Sequence, residues 1–199
     1  MDTRPDANRL EEQPDQPSVE PIPFTEGVPL TEGHTSLIAN FTCAKPGTAE
    51  TRFEQDVSDW LKDARAGALM AVRLKLSEVR LFICPQSGVL MGYGAIGKED
   101  WRFPDETVVR LWVLQYAGVH TNFRHQPNVS GNARFGRRLL NGMLREVQMR
   151  GGCRQIGLFV DPENPALARY RDDFLFRVLD EEQDGDRRWV RMVRPLDVK

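Results

Sequence analysis

The stretch that most limits how this chain can fold runs from Leu111 to Val147. It is led by Val108, Val109, Leu111, Trp112, Val113, Leu114 and Tyr116, a β-branched and aromatic run broken only by Arg110. Such a run predicts a strand covered on both faces. The stretch closes with Phe135, Leu139, Leu140, Met143, Leu144 and Val147, spaced at i, i+4, i+5, i+8, i+9 and i+12, which predicts an amphipathic helix. Between them, Gln126 to Asn132 is loop. Gly136 leaves the helix start open to close approach by a ligand, while Arg134, Arg137 and Arg138 add charge beside the positive end of the helix dipole. Strand, donor-rich loop and helix N-terminus together form an anion-binding arrangement that fits a diphosphate. The competing reading is an ordinary strand-loop-helix unit whose glycine and arginines hold nothing.

Charge is unevenly placed along the 199 residues. Met1 to Leu30 carries two basic and seven acidic residues, net −5, so the remainder carries 25 basic and 22 acidic, net +3. That balance suits an anionic cofactor and is too small to argue for nucleic acid. The same first thirty residues hold six of the 13 prolines, which predicts a disordered acidic tail (1–30) ahead of a single domain (31–199). No apolar run reaches the roughly 20 residues that span a bilayer, and the acidic N-terminus is unlike a secretory signal, so a cytoplasmic protein without a membrane partner is expected. Cys43, Cys84 and Cys153 have no metal-ligand spacing, and His34, His120 and His125 are scattered, so no metal is expected.

Elsewhere the patterns are local. Thr35 to Phe41 reads as a first strand, and Pro46-Gly47 as a turn. Thr51-x-x-Glu54 matches a capping box that opens a helix with Phe53, Val57, Trp60, Leu61 and Ala64 on one face, ending at Gly67. Leu69 to Leu76, Val79 to Cys84 and Val89 to Ile96 read as strands, with Gly92 and Gly94 marking a bend or a close backbone approach. Lys98 to Glu106 is polar and turn-like. Gly151-Gly152 stops the central helix, and Gln155 to Val160 completes a β-α-β unit. Asn164 as N-cap and Pro165 at the first position start a further helix, on which Ala166, Tyr170 and Phe174 share a face. Arg177 to Leu179 and Arg188 to Val193 form a terminal hairpin.

Three segments together resemble the GNAT superfamily of N-acyltransferases, over roughly Phe41 to Leu179. Ala117-Gly118-Val119 resembles the apolar triplet that ends the fourth strand, His120 to Phe123 its exit, and Arg124 the start of the phosphate loop. Ala133-Arg134-Phe135-Gly136, followed by Arg137-Arg138-Leu139-Leu140, resembles the loop's end, with residues 126–132 inserted and Arg134 where glycine is commoner. Asn164 and Tyr170 in VDPENPALARYRDDFLF resemble the family's Asn and Tyr that face the CoA arm and the departing sulfur. The usual Gly-Phe is replaced by Phe174-Leu175-Phe176. A fainter likeness to GNAT toxins that acetylate aminoacyl-tRNA lies in Phe41-Thr42-Cys43 and Trp60-Leu61.

The resemblance implies an α/β fold of the α+β type, a mixed and mostly antiparallel sheet flanked by helices and splayed between strands 4 and 5. It implies an acetyl-CoA-dependent N-acetyltransferase acting by direct transfer on a primary amine, small-molecule or protein-borne, with no metal. Ala117, Gly118, Val119, Arg124, Arg134, Phe135, Gly136, Arg137, Arg138 and Asn164 would hold the cofactor, and a backbone N–H near Val119 would meet the oxyanion. Tyr170 would serve the leaving sulfur as acid, and His120 is the candidate base, beside Gln115, Tyr116 or a water relay. The acceptor is expected near the first helix, the Lys98 to Asp105 segment and the terminal hairpin. A non-catalytic GNAT-fold module and toxin-like acetylation of aminoacyl-tRNA, the one reading with a nucleic-acid partner, are the alternatives. The splayed strand could support a homodimer.

Overall fold

A computed structural model describes residues 27–44, 51–124 and 135–196 of the chain. The run beginning at Val108 is strand β4 (Val108–Val119), preceded by β1 (Val28–Pro29), β2 (Glu78–Ile83) and β3 (Leu90–Arg102) and followed by β5 (Gln155–Val160), β6 (Arg177–Asp184) and β7 (Arg187–Pro195). The helices are α1 (Thr35–Ala39), α2 (Arg52–Lys62), α3 (Ala68–Arg73), α4 (Phe135–Arg150) and α5 (Ala166–Asp172). All strands join one sheet in the order β1-β2-β3-β4-β5-β7-β6. Every pairing is antiparallel except β4 with β5, which are joined through α4 as the crossover that parallel strands require.

Each face of the sheet is covered because its residues alternate between two apolar clusters. All six apolar positions read from the sequence on α4 are buried, packed with Ile96, Trp112, Leu114, Ile156 and Leu158. On the other face, Ile38 of α1, Leu61 of α2 and Ala68 of α3 meet Val79, Leu81, Tyr93 and Ala95. Gly92 and Gly94 are a close approach rather than a bend. A Cβ on Gly94 would stand 2.7 Å from Met143 Cγ and one on Gly92 2.8 Å from Leu139 Cδ1, so the missing side chains let α4 lie against β3.

Four local expectations are corrected. Thr35 to Phe41 is helical in its first five residues, with Ile38 and Phe41 buried at a helical spacing. The helix begun by the Thr51 capping box stops at Lys62, and Gly67 is the N-cap of α3, where a Cβ would fall 2.1 Å from the Trp60 carbonyl oxygen. Leu69 to Leu76 is therefore mostly helix. Leu74 and Leu76 are 60% and 61% exposed, which a buried strand would not leave. Lys98 to Glu106 is strand as far as Arg102, with Trp101 buried between exposed charges, and only the Phe103–Thr107 segment turns. The capping box, the strand Gln155–Val160, the stop at Gly151-Gly152, both of which have positive φ, and the hairpin are present as read. Residues 1–26, the Pro46-Gly47 turn, the loop 126–132 and Arg134 lie outside the described residues. Val28–Pro29 pairs with β2, and Leu30 is buried.

Candidate active site

β4 and β5 pair only where Trp112 to Leu114 lie beside Ile156 to Leu158. Past that point they part into a V. At its apex β4 bulges: Tyr116 lies opposite Ala95 and Leu114 opposite Ile96, so Gln115 has no partner on β3. One inserted residue reverses the alternation of every side chain after it. Trp112 and Leu114 face α4, Tyr116 and Gly118 turn to α2, and Ala117 and Val119 return to the α4 side. The bulge thus aims Ala117 into the V. The backbone follows the same logic. His120 N–H donates to Met91 O at 2.8 Å, so the antiparallel pattern points the N–H groups of Val119 and Ala117 away from β3, toward the V. The Val119 N–H is taken up by the Cys43 thiol.

Two cavities open from the V, one of about 500 Å³ on the α4 side and one of about 660 Å³ on the α2 side. Ala117, Asn164 and Tyr170 line both, so the two meet there. Tyr170 projects from α5 with its ring against Phe176 (centroids 6.3 Å apart), and its hydroxyl takes no hydrogen bond from the described residues. Burial raises its pKa, which keeps the phenol protonated at neutral pH. Asn164 Oδ1 accepts from the Ala166 N–H (2.9 Å), but the N-cap of α5 falls on Pro165 and its first position on Ala166, one residue later than the sequence pattern placed them.

The α4-side cavity is basic. Val119, Gly136 and Arg137 line it from β4 and the first described turn of α4, and Arg169 from α5. Arg137 and Arg169 have no ion pair among the described residues. A Cβ on Gly136 would come no closer than 3.5 Å to Val119, so the glycine keeps space in the cavity rather than relieving a clash. Arg124 also lines this cavity, but its guanidinium is ion-paired with Glu54. Burial opposes ionisation of Glu54, yet the Thr51 hydrogen bonds and the Arg124 charge outweigh it and hold the carboxyl below its ordinary range. Arg124 therefore ties the β4 exit to α2. Gly118, Phe135 and Arg138 line neither cavity. A Cβ on Gly118 would meet Val57 Cγ1 at 2.7 Å, and Phe135 is 2% exposed, against Phe82 and Phe123.

The α2-side cavity is acidic and aromatic. Trp60 stacks on Tyr116 (centroids 4.1 Å, planes 11° apart) to form one wall, and Trp189 contributes from β7. Burial, then the Asp56 charge, raises the Tyr116 pKa, which keeps its phenol protonated at neutral pH. Asp56, Glu99, Asp161, Glu182 and Asp184 line the cavity, and no Lys, Arg or His among the described residues does. Gln115, freed by the bulge, accepts from Ser77 Oγ and donates to Glu99 Oε1 at 2.9 Å.

His120 is not brought to the V. It falls on the α1 side of the reversed alternation and lines a separate cavity of about 170 Å³ with Asn40, Phe41 and Val89. Its ring sits between Phe41 and Phe123, its Nδ1 accepts from Asn122 N–H, and burial lowers its pKa. The structure therefore does not bring the expected base to the meeting point of the two cavities. Arg169, Glu99 and Asp184 were not read from the sequence. Arg169 adjoins Tyr170 on α5, and that adjacency was the one available signal. Glu99 and Asp184 reach the cavity only through sheet register. Among the described residues no group of His, Cys, Asp and Glu could hold a metal, and no helix is long and apolar enough to cross a membrane.

No protein-family model and no curated protein sequence matches the chain. Solved structures do. The toxin-antitoxin complex AtaTR bound with acetyl-CoA is similar at 15% identity and TM-score 0.59, covering 87% of this chain and 94% of that one. A protein of Desulfovibrio desulfuricans described as an acetyltransferase of the GNAT family gives 14% and 0.56, covering 85% and 97%. The NatC complex bound to Gag peptide and CoA gives 12% and 0.52, covering 87% and 99%.

Proposed function

Because the chain has the GNAT fold, we propose that it is an acetyl-CoA-dependent N-acetyltransferase that moves the acetyl group directly to an amine. The observation that carries this reading is the meeting of a basic and an acidic cavity at Ala117, Asn164 and Tyr170, where β4 and β5 stop pairing. Acetyl-CoA is a polyanion with a reactive thioester at one end, and a basic arm leading to a shared junction matches that shape. Arg137 and Arg169, with the N–H groups at the start of α4, receive the diphosphate. Gly136 leaves it room. Asn164 holds the entry to α5 beside the CoA arm.

At the junction the acceptor nitrogen attacks the thioester carbonyl, and charge develops on its oxygen. The Ala117 N–H is the donor aimed into the V and meets that oxyanion. This shifts the donor two residues back from Val119, whose N–H serves Cys43. The acceptor attacks as the free amine, so its nitrogen carries a surplus proton in the intermediate. When the intermediate collapses, the carbon-sulfur bond breaks and the sulfur takes the proton of the Tyr170 hydroxyl, which burial keeps protonated and which has no competing partner among the described residues; the nitrogen's surplus proton then passes through water to the phenolate, restoring the phenol as the amide forms. The acceptor enters by the α2-side cavity, between α2 and the β6-β7 hairpin. Acetyl-CoA at a hundredfold excess over its dissociation constant should stabilise the protein by about 2.7 kcal/mol. Release of free CoA thiol should then require both an added amine and Tyr170. A protein that acetyl-CoA neither stabilises nor acylates an amine from would be a scaffold on the same fold.

A further inference from the structure

We propose that the acceptor is a small polycation, an amine carrying at least one further ammonium group that the α2-side cavity holds while the reacting nitrogen sits at the junction. The inference rests on the acetyltransferase reading and names its substrate class. The cavity of about 660 Å³ matches a small molecule and ends at Tyr170 and Ala117. Five carboxylates line it, from α2, β3, the end of β5 and β6, and no basic side chain of the described residues joins them.

These carboxylates differ in how far their charge is already met. Asp56 pairs with Arg187 (2.9 Å), Asp161 with Arg52 (2.9 Å) and Glu182 with Arg191 (3.7 Å). Glu99 and Asp184 have no ion pair among the described residues. Glu99 is half-buried and, among the described residues, accepts from the neutral Gln115 and Trp101 groups alone, so an ammonium in the cavity would supply the charge it lacks. The Trp60-Tyr116 stack offers an aromatic wall to the same cation. A nucleic-acid acceptor would bring phosphates to these carboxylates and be repelled. A monoamine would leave the far carboxylates unmet.

The test is transfer from acetyl-CoA by the full-length protein, read as free CoA thiol, with spermidine, kanamycin, butylamine and an aminoacyl-tRNA as acceptors. Spermidine or kanamycin should exceed butylamine by about 100-fold in kcat/KM, and which of the two is preferred separates an aliphatic polyamine from an amino sugar. Glu99→Gln and Asp184→Asn should each raise KM for the preferred polycation about 10-fold more than they raise KM for butylamine. Asp184 is exposed on the hairpin, so Asp184→Lys gives a folded variant with the same prediction, larger in size. If acetyl-CoA binds but butylamine or the aminoacyl-tRNA is acetylated as well as the polycations, or the variants leave KM for the polycation unmoved, the inference is wrong. If acetyl-CoA does not bind at all, the reading beneath it falls as well.

Discussion

The two arms of the V are built from the same strand and differ in sign. On the α4 side, Ala117 and Val119 face a cavity edged by Arg137 and Arg169. On the α2 side, after a single inserted residue at Gln115, Tyr116 and the freed Gln115 side chain face Asp56, Glu99 and Asp184. A bulge is the cheapest way to turn neighbouring residues of one strand to opposite uses, since it reverses orientation without a new element. The contrast also separates two tasks. On the proposed reading the basic arm takes the polyanionic donor and the acidic arm the cationic acceptor, each arm would repel the other's ligand, and the two would meet at Ala117, Asn164 and Tyr170.

The largest effect that would sharpen this division belongs to the junction. Tyr170→Phe removes the proton for the sulfur and keeps the ring, so kcat should fall by about 10² to 10⁴ while acetyl-CoA affinity changes less than about twofold. Unchanged kcat would remove the acid. The raised pKa of Tyr170 sets a matching sign in pH: kcat should show no tyrosine-dependent loss until the pH exceeds the ordinary phenol value of 10.0. Next come the arms. Arg137→Ala or Arg169→Ala should each weaken acetyl-CoA about tenfold by titration and leave the acceptor KM nearly alone. An equal loss on both sides would mean the arms are not separate.

The smallest effect lies away from both arms. Burial depresses the His120 pKa in the folded protein, so the unfolded chain binds the extra proton first. Stability is then full above the ordinary imidazole value of 6.5 and declines as the pH falls through the folded value. His120→Gln should flatten that acid-side slope in denaturant unfolding and leave acetyl transfer largely intact. A large loss of transfer with an unchanged slope would return His120 to the chemistry.

What could be read from the sequence is what local periodicity encodes. Strand β4, helix α4, the Thr51 capping box and the terminal hairpin each carry a pattern their own residues enforce. Thr35 to Phe41 and Leu69 to Leu76 escaped because short apolar runs satisfy strand and helix periods alike, and the deciding facts were tertiary: Ile38 buried under the sheet, Leu74 left in solvent. Arg137 was legible as charge at a helix start, whereas the V and the role of Tyr170 were reached through resemblance. Glu99, Arg169 and Asp184 were not, since a charge on an exposed strand or helix shows no sign of the cavity it edges. Arg124 looked like a phosphate ligand until its ion pair with Glu54, seventy residues away, gave the charge another use.

The claim beneath all of this is that the α4-side cavity holds acetyl-CoA. Calorimetric titration of acetyl-CoA into the wild-type protein and into Gly136→Glu tests it most directly. The substitution fills the free space beside Val119 and places a carboxylate where the diphosphate would lie. Saturable binding by the wild type, lost by about 100-fold or more in a variant of unchanged melting temperature, is the predicted result. Equal binding by both would put the cofactor elsewhere, and no binding by the wild type would contradict the account.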